Sequence, residues 1–381
     1  MKSALVIASV SSMIGKFNMN NIEILISLGY QVTVATNFKT DAHSSKKSID
    51  DLVEKLTNLK IGLVQIDFSR SGSNIKGHFE SYKQVFKLLD KNFDIIHTHT
   101  PIASAIVRLA NRFNKNSSSK VIYTAHGFHF YKGAPAINWI TYYPIERILS
   151  KYTDLLITIN REDFKRSKSF NAKDVEYIPG VGVEVNVLTA GKNEIKEKKQ
   201  EFNITSSNIL ISVGELNNNK NHYIVIEALS KIKDKDFEYL IVGEGPNKKK
   251  LQDQINNHGL QNKIKLCGYR NDIQELLQLS DIFVFPSFRE GLSKSVMEAM
   301  ASGLVIVASS IRGNTDLIDE GRGGFLFNPK SSSDLSNCLL KILNKPDIKN
   351  EFGIYNNEKI KQFSTNKIDS KMRQIYINIA E

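Results

Sequence analysis

Cysteine is nearly absent from this sequence: Cys267 and Cys338 are its two cysteines among 381 residues. Two cysteines are too few for a disulfide framework or a zinc ribbon, so we expect a reducing compartment such as the cytoplasm. No uninterrupted apolar run approaches the roughly 20 residues that span a bilayer. The opening letters MKSALVIASV carry one lysine and lead into no small-residue cleavage site, so we interpret them as a strand and not as a signal peptide.

Negative charge is scarce in the first half of the chain. Residues 1–188 contain 24 Lys and Arg against 16 Asp and Glu, and the remainder contains 27 against 24. The excess of +8 in the first half indicates an anionic partner, either nucleic acid or an acidic membrane surface. A lysine-rich surface without a partner is the alternative. The sequence shows no nucleic-acid-binding module, so we expect no nucleic acid as a partner.

The length of the chain exceeds what one hydrophobic core usually serves, so two domains are expected. Short β-branched runs such as ALVIAS and QVTVAT alternate with amphipathic stretches, which is typical of doubly wound parallel sheets. The alternation breaks near Pro179, in a stretch with glycines and a lysine-rich run, and then restarts. We predict an α/β protein with two Rossmann-like domains, residues 1–188 and 189–365, and a last helix near 366–381 that packs back on the first domain.

The stretch FREGLSKSVMEAMASG combines two glutamates with a predicted helix start. Gly291 and Ser293 mark that start, where free amides bind anions and Lys294 adds a positive charge. Phosphate is the expected anion. Glu298, inside the helix, could accept two hydrogen bonds from the vicinal hydroxyls of a ribose, while Glu290 precedes the helix. In the alternative interpretation both glutamates are solvated surface residues and the glycine only forms a turn.

Histidines follow several predicted strands, at His97, His99, His126 and His129. Four clustered histidines could indicate a zinc hydrolase, but no suitable cysteine or carboxylate accompanies them. They are otherwise core residues bonded to the backbone, or they line a binding site beyond the carboxyl ends of the strands.

Glu290 and Glu298, with EGL and EAMASG around them, form an E-x7-E pattern that resembles the signature of retaining glycosyltransferases of family four, which have the GT-B fold. The resemblance extends over nearly the whole chain, through HTHTP, TAHGFHFYKGAP, TINREDF, IPGVGVE, VGEL, VGEGP, GYRNDI and GGFLF. The loops are most similar to those of bacterial enzymes of capsule or exopolysaccharide synthesis. The resemblance implies an N-terminal acceptor domain and a C-terminal donor domain that face each other across a cleft.

The resemblance also implies residue roles on the donor side. Glu298 would bind the nucleotide ribose, Glu290 would contact the transferred sugar, and Lys220 would contact the diphosphate. The other donor-binding positions that it implies are Gly15, Gly214, Tyr269, Arg270, Gly291, Leu292, Ser293, Lys294 and Ser295. Two positions depart from the family pattern. Glu215 stands after Gly214 where many relatives have arginine, and Leu304 stands where proline is frequent.

In the first domain the resemblance places His126 beside the transferred sugar, as a catalytic residue together with Glu290 and Lys220. His97, His99, His129 and Lys16 would lie on the acceptor side. Gly15 would belong to a flexible loop after the first strand that passes close to the diphosphate, with Lys16 as a charge partner. A plain turn is the alternative for this loop.

The function that the resemblance implies is sugar transfer from a UDP-sugar, with an N-acetylated sugar as a candidate, to a polyprenyl diphosphate-linked saccharide with retention of configuration. The family is metal-independent and the sequence lacks an Asp-x-Asp cation site near the donor loops, so we expect no metal and no cofactor. The expected location is the inner face of the cell membrane, with peripheral attachment through the basic first domain. A transferase with a small soluble acceptor and a non-catalytic sugar-binding protein are the alternatives.

Overall fold

The computed structural model describes residues 2–41, 45–69, 74–115, 118–185 and 191–380. Its contacts divide the chain into two compact units, Met1–Val181 with Asn366–Glu381 and Gly182–Thr365. The boundary predicted at residue 188 lies outside the described residues. The division falls earlier because Val183 exchanges backbone hydrogen bonds with Phe363 and Thr365, which makes it part of the second unit.

Within its described residues, the first unit forms a parallel sheet of seven strands. The strands are β1 (Ser3–Ile7), β2 (Gln31–Thr36), β3 (Gly62–Gln65), β4 (Ile95–His99), β5 (Lys120–Ala125), β6 (Leu155–Thr158) and β7 (Asp174–Tyr177). Their order is β3-β2-β1-β4-β5-β6-β7, so the direction of winding reverses between β1 and β4. Such a reversal opens a crevice at the carboxyl ends of the two strands.

Helices connect these strands and pack on both faces of the sheet. They are α1 (Ser11–Phe17), α2 (Met19–Ser27), α3 (Lys46–Asn58), α4 (Ile75–Leu88), α5 (Pro101–Phe113), α6 (Ala136–Leu149) and α7 (Arg161–Ser167). The buried Arg108 of α5 donates to Glu146 of α6 at 2.8 Å, and Tyr123 of β5 donates to the same carboxylate at 3.0 Å. This bonded pair fixes α6 against the unit, because leaving either charge buried without its partner would cost several kcal/mol.

The second unit forms a parallel sheet of six strands from residues 191–365. The strands are β8 (Ile209–Val213), β9 (Glu238–Val242), β10 (Ile264–Gly268), β11 (Ile282–Phe285), β12 (Val305–Ser309) and β13 (Gly324–Phe327). The helices are α8 (Lys192–Glu201), α9 (His222–Ser230), α10 (Lys248–Asn257), α11 (Ile273–Leu279), α12 (Lys294–Ala301), α13 (Asn314–Leu317), α14 (Ser332–Leu343) and α15 (Asp347–Ile360). The strand order β10-β9-β8-β11-β12-β13 places the reversal between β8 and β11.

The last helix, α16 (Thr365–Ala380), packs on the first unit. Its inner face contributes Ile368, Met372 and Tyr376 to the same core as β1 and α2. Asp369 accepts a hydrogen bond from Asn20 of α2 at 3.2 Å, which adds a polar tie at the edge of this core.

The two doubly wound sheets confirm the predicted α/β class, but the loop predicted after the first strand is wrong. Residues 11–17 form α1, so Gly15 and Lys16 lie on a helix, where both are exposed. The residue before this helix, Val10, provides no cap, and the amide of Ser12 is instead satisfied by the carboxylate of Asp41 at 2.7 Å. A cap supplied from 29 residues away leaves no local signal in the sequence. The described residues also include no helix that is long and apolar enough to cross a bilayer.

Candidate active site

The strand order of the second unit brings the loops after β8 and β11 next to each other at the point where the winding reverses. Lys220 lies in the loop after β8 and Glu290 in the loop after β11. The Lys220 Nζ is 2.8 Å from the Glu290 Oε1, and each side chain is about one-fifth exposed, at 21% and 17%. The ammonium also lies 4.7 Å from the centre of the Phe285 ring, in range of a cation–π contact. Two of the three residues predicted to be catalytic therefore form an ion pair.

Neighbouring loops hold the backbone of the segment that carries Glu290. The amide of Phe288 donates to the carbonyl of Asn219 at 2.8 Å, and the Asn219 side chain donates to the carbonyl of Arg289 at 3.0 Å. Asn221 donates to the carbonyl of Pro286 at 3.2 Å. The loop after β8 thus fixes the loop after β11 at three backbone positions.

The loop after β12 holds the same segment from the other side, through two residues that the sequence analysis did not single out. The Nε of Arg312 donates to the carbonyl of Glu290 at 3.0 Å. Gly313 has a φ of 80°, and a Cβ there would lie 2.2 Å from the carbonyl oxygen of Gly291. Only glycine fits both the conformation and the space. In the sequence, the one indication that IRGN contributes to the site is its position directly after a buried strand.

The helix α12 begins beside this loop. Ser293 caps it by accepting from the amide of Val296 at 3.4 Å, and Ser293 Oγ lies 3.1 Å from Ser295 Oγ. The amides of Lys294 and Ser295 precede Val296 in the helix and have no carbonyl one turn back, as at any helix start. Gly291 and Leu292 immediately precede this start, so the residues of the predicted anion site are neighbours, and anion binding there stays a prediction.

Glu298 lies one turn into α12, on the same face as Lys294. The Lys294 Nζ is 3.5 Å from the Glu298 Oε1, and the Lys294 side chain is half-exposed, at 52%. Burial raises the pKa of the Glu298 carboxyl, an effect that the Lys294 charge opposes. The arrangement leaves a partly buried acceptor, Glu298, with a half-exposed cationic partner, Lys294.

Gly214, after β8, lies under the Lys220 side chain: a Cβ there would lie 3.3 Å from the Lys220 Cε. Gly243, in the loop after β9, has a φ of 142°, and a Cβ there would lie 1.9 Å from the carbonyl oxygen of Gly214. The glycine at position 243, in VGEGP, therefore allows the loops after β8 and β9 to pack closely beneath the Lys220 side chain. Glu215, the residue that departs from the family pattern, is exposed.

Tyr269 and Arg270 follow β10, and they differ in exposure and in side-chain bonding. Tyr269 is 73% exposed. The Arg270 guanidinium instead donates to the carboxylate of Asp272, with 2.7 Å from Nε, and also contacts Glu201 of α8 at 2.8 Å. Lys198 bonds the same two carboxylates. The Arg270 side chain thus joins α8 to the loop before α11, and a contact of this position with a base would have to use the backbone.

In the first unit, three of the four predicted histidines lie together. His97 and His99 point to the same side of β4, with ring centroids 4.1 Å apart. The Nδ1 of His99 is 3.1 Å from the Nε2 of His126, which follows β5. His99 and His126 line a cavity with Asn20, Thr124 and other residues.

His97 is fully buried, and its prediction as an acceptor-side residue is wrong. Its Nδ1 lies 2.7 Å from the Tyr376 hydroxyl and its Nε2 lies 2.8 Å from Thr124 Oγ1, so both ring nitrogens are used inside the unit. Tyr376 comes from α16, some 280 residues away along the chain. The sequence could not show that this helix returns to cover the ring.

His129 is not part of this cluster, which corrects the expectation that all four histidines lie together. Its ring stacks on Tyr142 of α6, with centroids 4.6 Å apart, and its carbonyl accepts from Asn138 at 2.8 Å. The backbone turns away after His126 because the amide of Phe128 donates to the buried carboxylate of Asp163 at 3.0 Å.

Burial favours the neutral form of the three clustered histidines, His97, His99 and His126. Burial lowers the pKa of His97 to about 3 and that of His126 to about 4, and burial also lowers the pKa of His99. Neutral imidazoles each provide one donor and one acceptor, which suits hydrogen bonding to hydroxyl groups. Among the residues that the structure describes, no group of three His, Cys, Asp or Glu side chains could hold a metal ion.

Comparison with known proteins identifies the family. The model of the family described as "Glycosyl transferases group 1" matches residues 193–359, and that of "Glycosyltransferase Family 4" matches residues 17–184. EpsD of Bacillus subtilis (strain 168) is 35% identical over 77% of this chain and 79% of its own length. The UDP-Gal:alpha-D-GlcNAc-diphosphoundecaprenol alpha-1,3-galactosyltransferase of Escherichia coli is 28% identical over 79% of each chain.

A solved structure matches nearly the whole chain. Anabaena HepE, crystallised in complex with UDP, superposes with a TM-score of 0.78 at 19% identity, over 99% of this chain and 100% of that one. At this identity the match concerns the fold, which is GT-B. The chain belongs to the family-four glycosyltransferases. It is an enzyme that transfers a sugar from a nucleotide sugar, as the E-x7-E pattern predicted.

The buried histidines predict how stability depends on pH. In the unfolded chain a histidine has a pKa of about 6.5, whereas His97 has a folded pKa of about 3. The unfolded state therefore binds protons first as the pH falls, and the stability present above pH 6.5 is lost progressively below it. At pH 5, His97 alone should cost the folded state about 2 kcal/mol, measured from denaturant midpoints between pH 7.5 and 5.

A variant separates this contribution from general acid destabilisation. His97→Asn should be less stable at pH 7.5 but should lose less stability on going to pH 5. The control His258→Asn, at an exposed position after α10 in the other unit, should keep the wild-type slope. An unchanged slope in His97→Asn would contradict the burial argument.

Proposed function

We propose that this glycosyltransferase moves a sugar from a UDP-sugar to a polyprenyl diphosphate-linked saccharide, with retention of anomeric configuration, in the synthesis of a bacterial capsule or exopolysaccharide. The observation that carries the proposal is the Lys220–Glu290 pair beside the start of α12. This arrangement offers a cation, an anion site and a carboxylate within one group of loops, which is what a sugar joined to a diphosphate requires.

The donor proposal rests on the chemistry of α12. A diphosphate at the start of the helix would accept from the free amides and from Lys294, and Lys220 would neutralise its far oxygens. Glu298 would then accept from the two ribose hydroxyls, one turn further into the helix. The E. coli relative is named for a UDP-sugar donor, and HepE was crystallised with UDP, which supports UDP over other nucleotides.

The ion pair suggests how Glu290 is prepared for the sugar. Without a donor, Lys220 neutralises Glu290 at 2.8 Å. A diphosphate carries more negative charge than the carboxylate and would draw the ammonium toward itself. Glu290 would then be free to accept from the hydroxyls of the transferred sugar, so that the carboxylate contacts the sugar only when the diphosphate is in place.

The reaction needs no nucleophile from the protein. The bond from the anomeric carbon to the diphosphate oxygen breaks with its electron pair going to the diphosphate, and the acceptor oxygen bonds to the same carbon on the same face. The acceptor proton passes to the departing phosphate oxygen. Catalysis then consists mainly of stabilising the diphosphate as its negative charge grows, through Lys220, Lys294 and the amides of α12. Neither a metal nor another cofactor is part of this proposal.

The acceptor proposal rests on relatives and on charge. The E. coli relative is named for an acceptor linked to diphosphoundecaprenol. The basic first half of this chain suits an acceptor that is embedded in an anionic membrane, and we propose peripheral attachment at the cytoplasmic face. His126 stays the predicted contact to the transferred sugar. His99, bonded to His126 and lining the same cavity, and the exposed Lys16 stay predicted on the acceptor side.

The first experiment measures release of UDP from UDP-glucose, UDP-galactose, UDP-N-acetylglucosamine and UDP-N-acetylgalactosamine, each with and without membrane lipid extract. We expect release with one donor, dependent on the lipid fraction, and a labelled lipid product whose new linkage is α by NMR. Release that depends on a water-soluble fraction instead would assign a small acceptor. Binding of a UDP-sugar without release under any condition would assign a sugar-binding protein.

A second experiment separates the roles of the two glutamates. Glu298→Gln should weaken free UDP and UDP-sugar alike by about 1.5 to 3 kcal/mol, the range for a hydrogen bond to a charged group. Glu290→Gln should not weaken free UDP, because it also releases Lys220 from its carboxylate partner, but it should lower kcat. UDP calorimetry and steady-state kinetics measure the two effects.

Glu351→Gln, at an exposed position on α15, is the matched control and should behave as wild type. The assigned roles fail if Glu290→Gln weakens UDP as much as Glu298→Gln does, or if neither substitution changes turnover.

The third experiment tests metal independence. Because lysines and helix amides supply the positive charge in this proposal, UDP release should continue at its full rate in excess EDTA. Activity that disappears with EDTA and returns with added Mg²⁺ or Mn²⁺ would show that a cation is needed at the diphosphate.

A further inference from the structure

The helix α6 exposes an apolar face. Ile137, Ile140, Ile145 and Ile148 are 60%, 70%, 50% and 57% exposed. At 100° per residue these side chains lie within one side of the helix, in a stripe wider than about 100°. Single exposed apolar side chains are ordinary, but four isoleucines on one face form a patch that requires a partner.

The orientation of α6 is fixed by its opposite face, so the isoleucines cannot turn inward. Trp139 and Tyr143 pack against Phe130, with ring centroids 5.8 and 5.2 Å away. The buried Glu146 is bonded to Arg108 at 2.8 Å. The side of α6 that faces the unit is therefore fully used.

Basic residues flank this helix along the chain. Between Asp94 and Asp154 the chain has one acidic residue, the buried Glu146. The same stretch has seven basic residues, which are Arg108, Arg112, Lys115, Lys120, Lys132, Arg147 and Lys151. Of these, Lys132, Arg147 and Lys151 are exposed and flank α6 or lie on it.

A neighbouring acidic residue from another element does not cancel this charge. Glu162 of α7 accepts from the backbone amide of Lys132 at 2.8 Å and from Arg166 at 2.9 Å, so its charge is already neutralised by an arginine. Between Asp94 and Asp154 the exposed charge of the chain is thus of one sign.

We propose that the exposed face of α6 is the surface by which the first unit docks on an anionic lipid bilayer. The four isoleucines enter the boundary between headgroups and acyl chains, while Arg147, Lys151 and Lys132 contact the anionic headgroups. A second copy of this chain is a poorer occupant, because a symmetric pairing of this face would place the same basic side chains opposite each other. The proposal names the surface for the peripheral attachment proposed above but does not depend on sugar transfer.

Cosedimentation with vesicles tests the apolar part. The probe is vesicles of phosphatidylcholine with or without phosphatidylglycerol, at 0.1 M salt. Wild type should bind the anionic vesicles, and the double variant Ile140→Asp with Ile148→Asp should lose at least tenfold in partitioning. Ile354→Asp, which alters an equally exposed isoleucine (64%) on α15 of the second unit, is the matched control and should bind as wild type.

The charge part is tested with Arg147→Glu combined with Lys151→Glu. This variant should lose binding at 0.1 M salt, and its remaining binding should change little at 1 M salt, where the Debye length falls from about 10 to about 3 Å. Wild type should lose binding on the same change of salt. Equal binding by wild type and either double variant would overturn the proposal.

Two further readouts separate this proposal from others. Sedimentation velocity without lipid should show the same species for wild type and the isoleucine variant, and a dimer that the variant abolishes would assign the face to self-association and overturn lipid docking. Sugar transfer to a detergent-dissolved acceptor should be unchanged in the isoleucine variant, and its loss would place the face in the acceptor site instead. If wild type binds vesicles as expected but transfers no sugar, the proposed function fails while the docking surface stands.

Discussion

The position of β11 between β8 and β12 is the constraint on which the candidate active site depends. In a parallel sheet the loops at the carboxyl ends of adjacent strands are neighbours, so the loop after β11 is held between the loops after β8 and β12. Asn219 and Asn221 donate to its carbonyls from one side. On the other side Arg312 donates to the carbonyl of Glu290, and Gly313 lies close to the carbonyl of Gly291. The backbone of Glu290 and the start of α12 are therefore set by topology before any ligand arrives. A site whose charges must stabilise a departing diphosphate benefits from such fixed geometry, because no reorganisation is needed during the reaction.

Two ion pairs neutralise the charged side chains of this site. Lys220 and Glu290 are each about one-fifth exposed, so each charge is partly removed from water and is compensated by its partner. The Lys220–Glu290 ion pair can also be broken, because neither side chain is fully buried. Glu298 and Lys294 form a looser version at 3.5 Å, with the lysine half-exposed. Both cations are thus paired with carboxylates, and in the proposed function a diphosphate would compete for them.

The sequence predicted those features that depend on local pattern. The alternation of β-branched runs and amphipathic stretches was sufficient for the two parallel sheets, and the resemblance identified Glu290, Glu298 and Lys220, whose positions agree with a common site. The errors concern contacts between distant residues. The helix α1 is capped by Asp41, and His97 is covered by Tyr376 from the last helix. Neither partner can be recognised from the local sequence.

The same limit explains why Arg312 and Gly313 were missed. These two residues hold the backbone of Glu290 and Gly291, which lies in the loop after the adjacent strand β11. A glycine in the letters IRGN indicates a turn, but only the structure shows that the carbonyl of another loop occupies the place of its side chain. Residues that support a site through backbone contacts have no chemical signature of their own.

The net charge of the first half of the chain does not show where its charged residues lie. A net charge of +8 in residues 1–188 is compatible with a uniformly lysine-rich surface. The structure instead shows that the stretch between Asp94 and Asp154 buries its one acidic residue, Glu146, against Arg108, so that the exposed charged residues of this stretch are all positive. The helix α6 lies in this stretch and has apolar residues on both faces, although an ordinary surface helix has them on one. The aromatic side is explained by packing on Phe130, whereas no contact among the described residues of the unit explains four exposed isoleucines. Exposed apolar side chains beside positive charge suit an anionic membrane surface, because the apolar side chains enter the lipid boundary while the cations contact the headgroups.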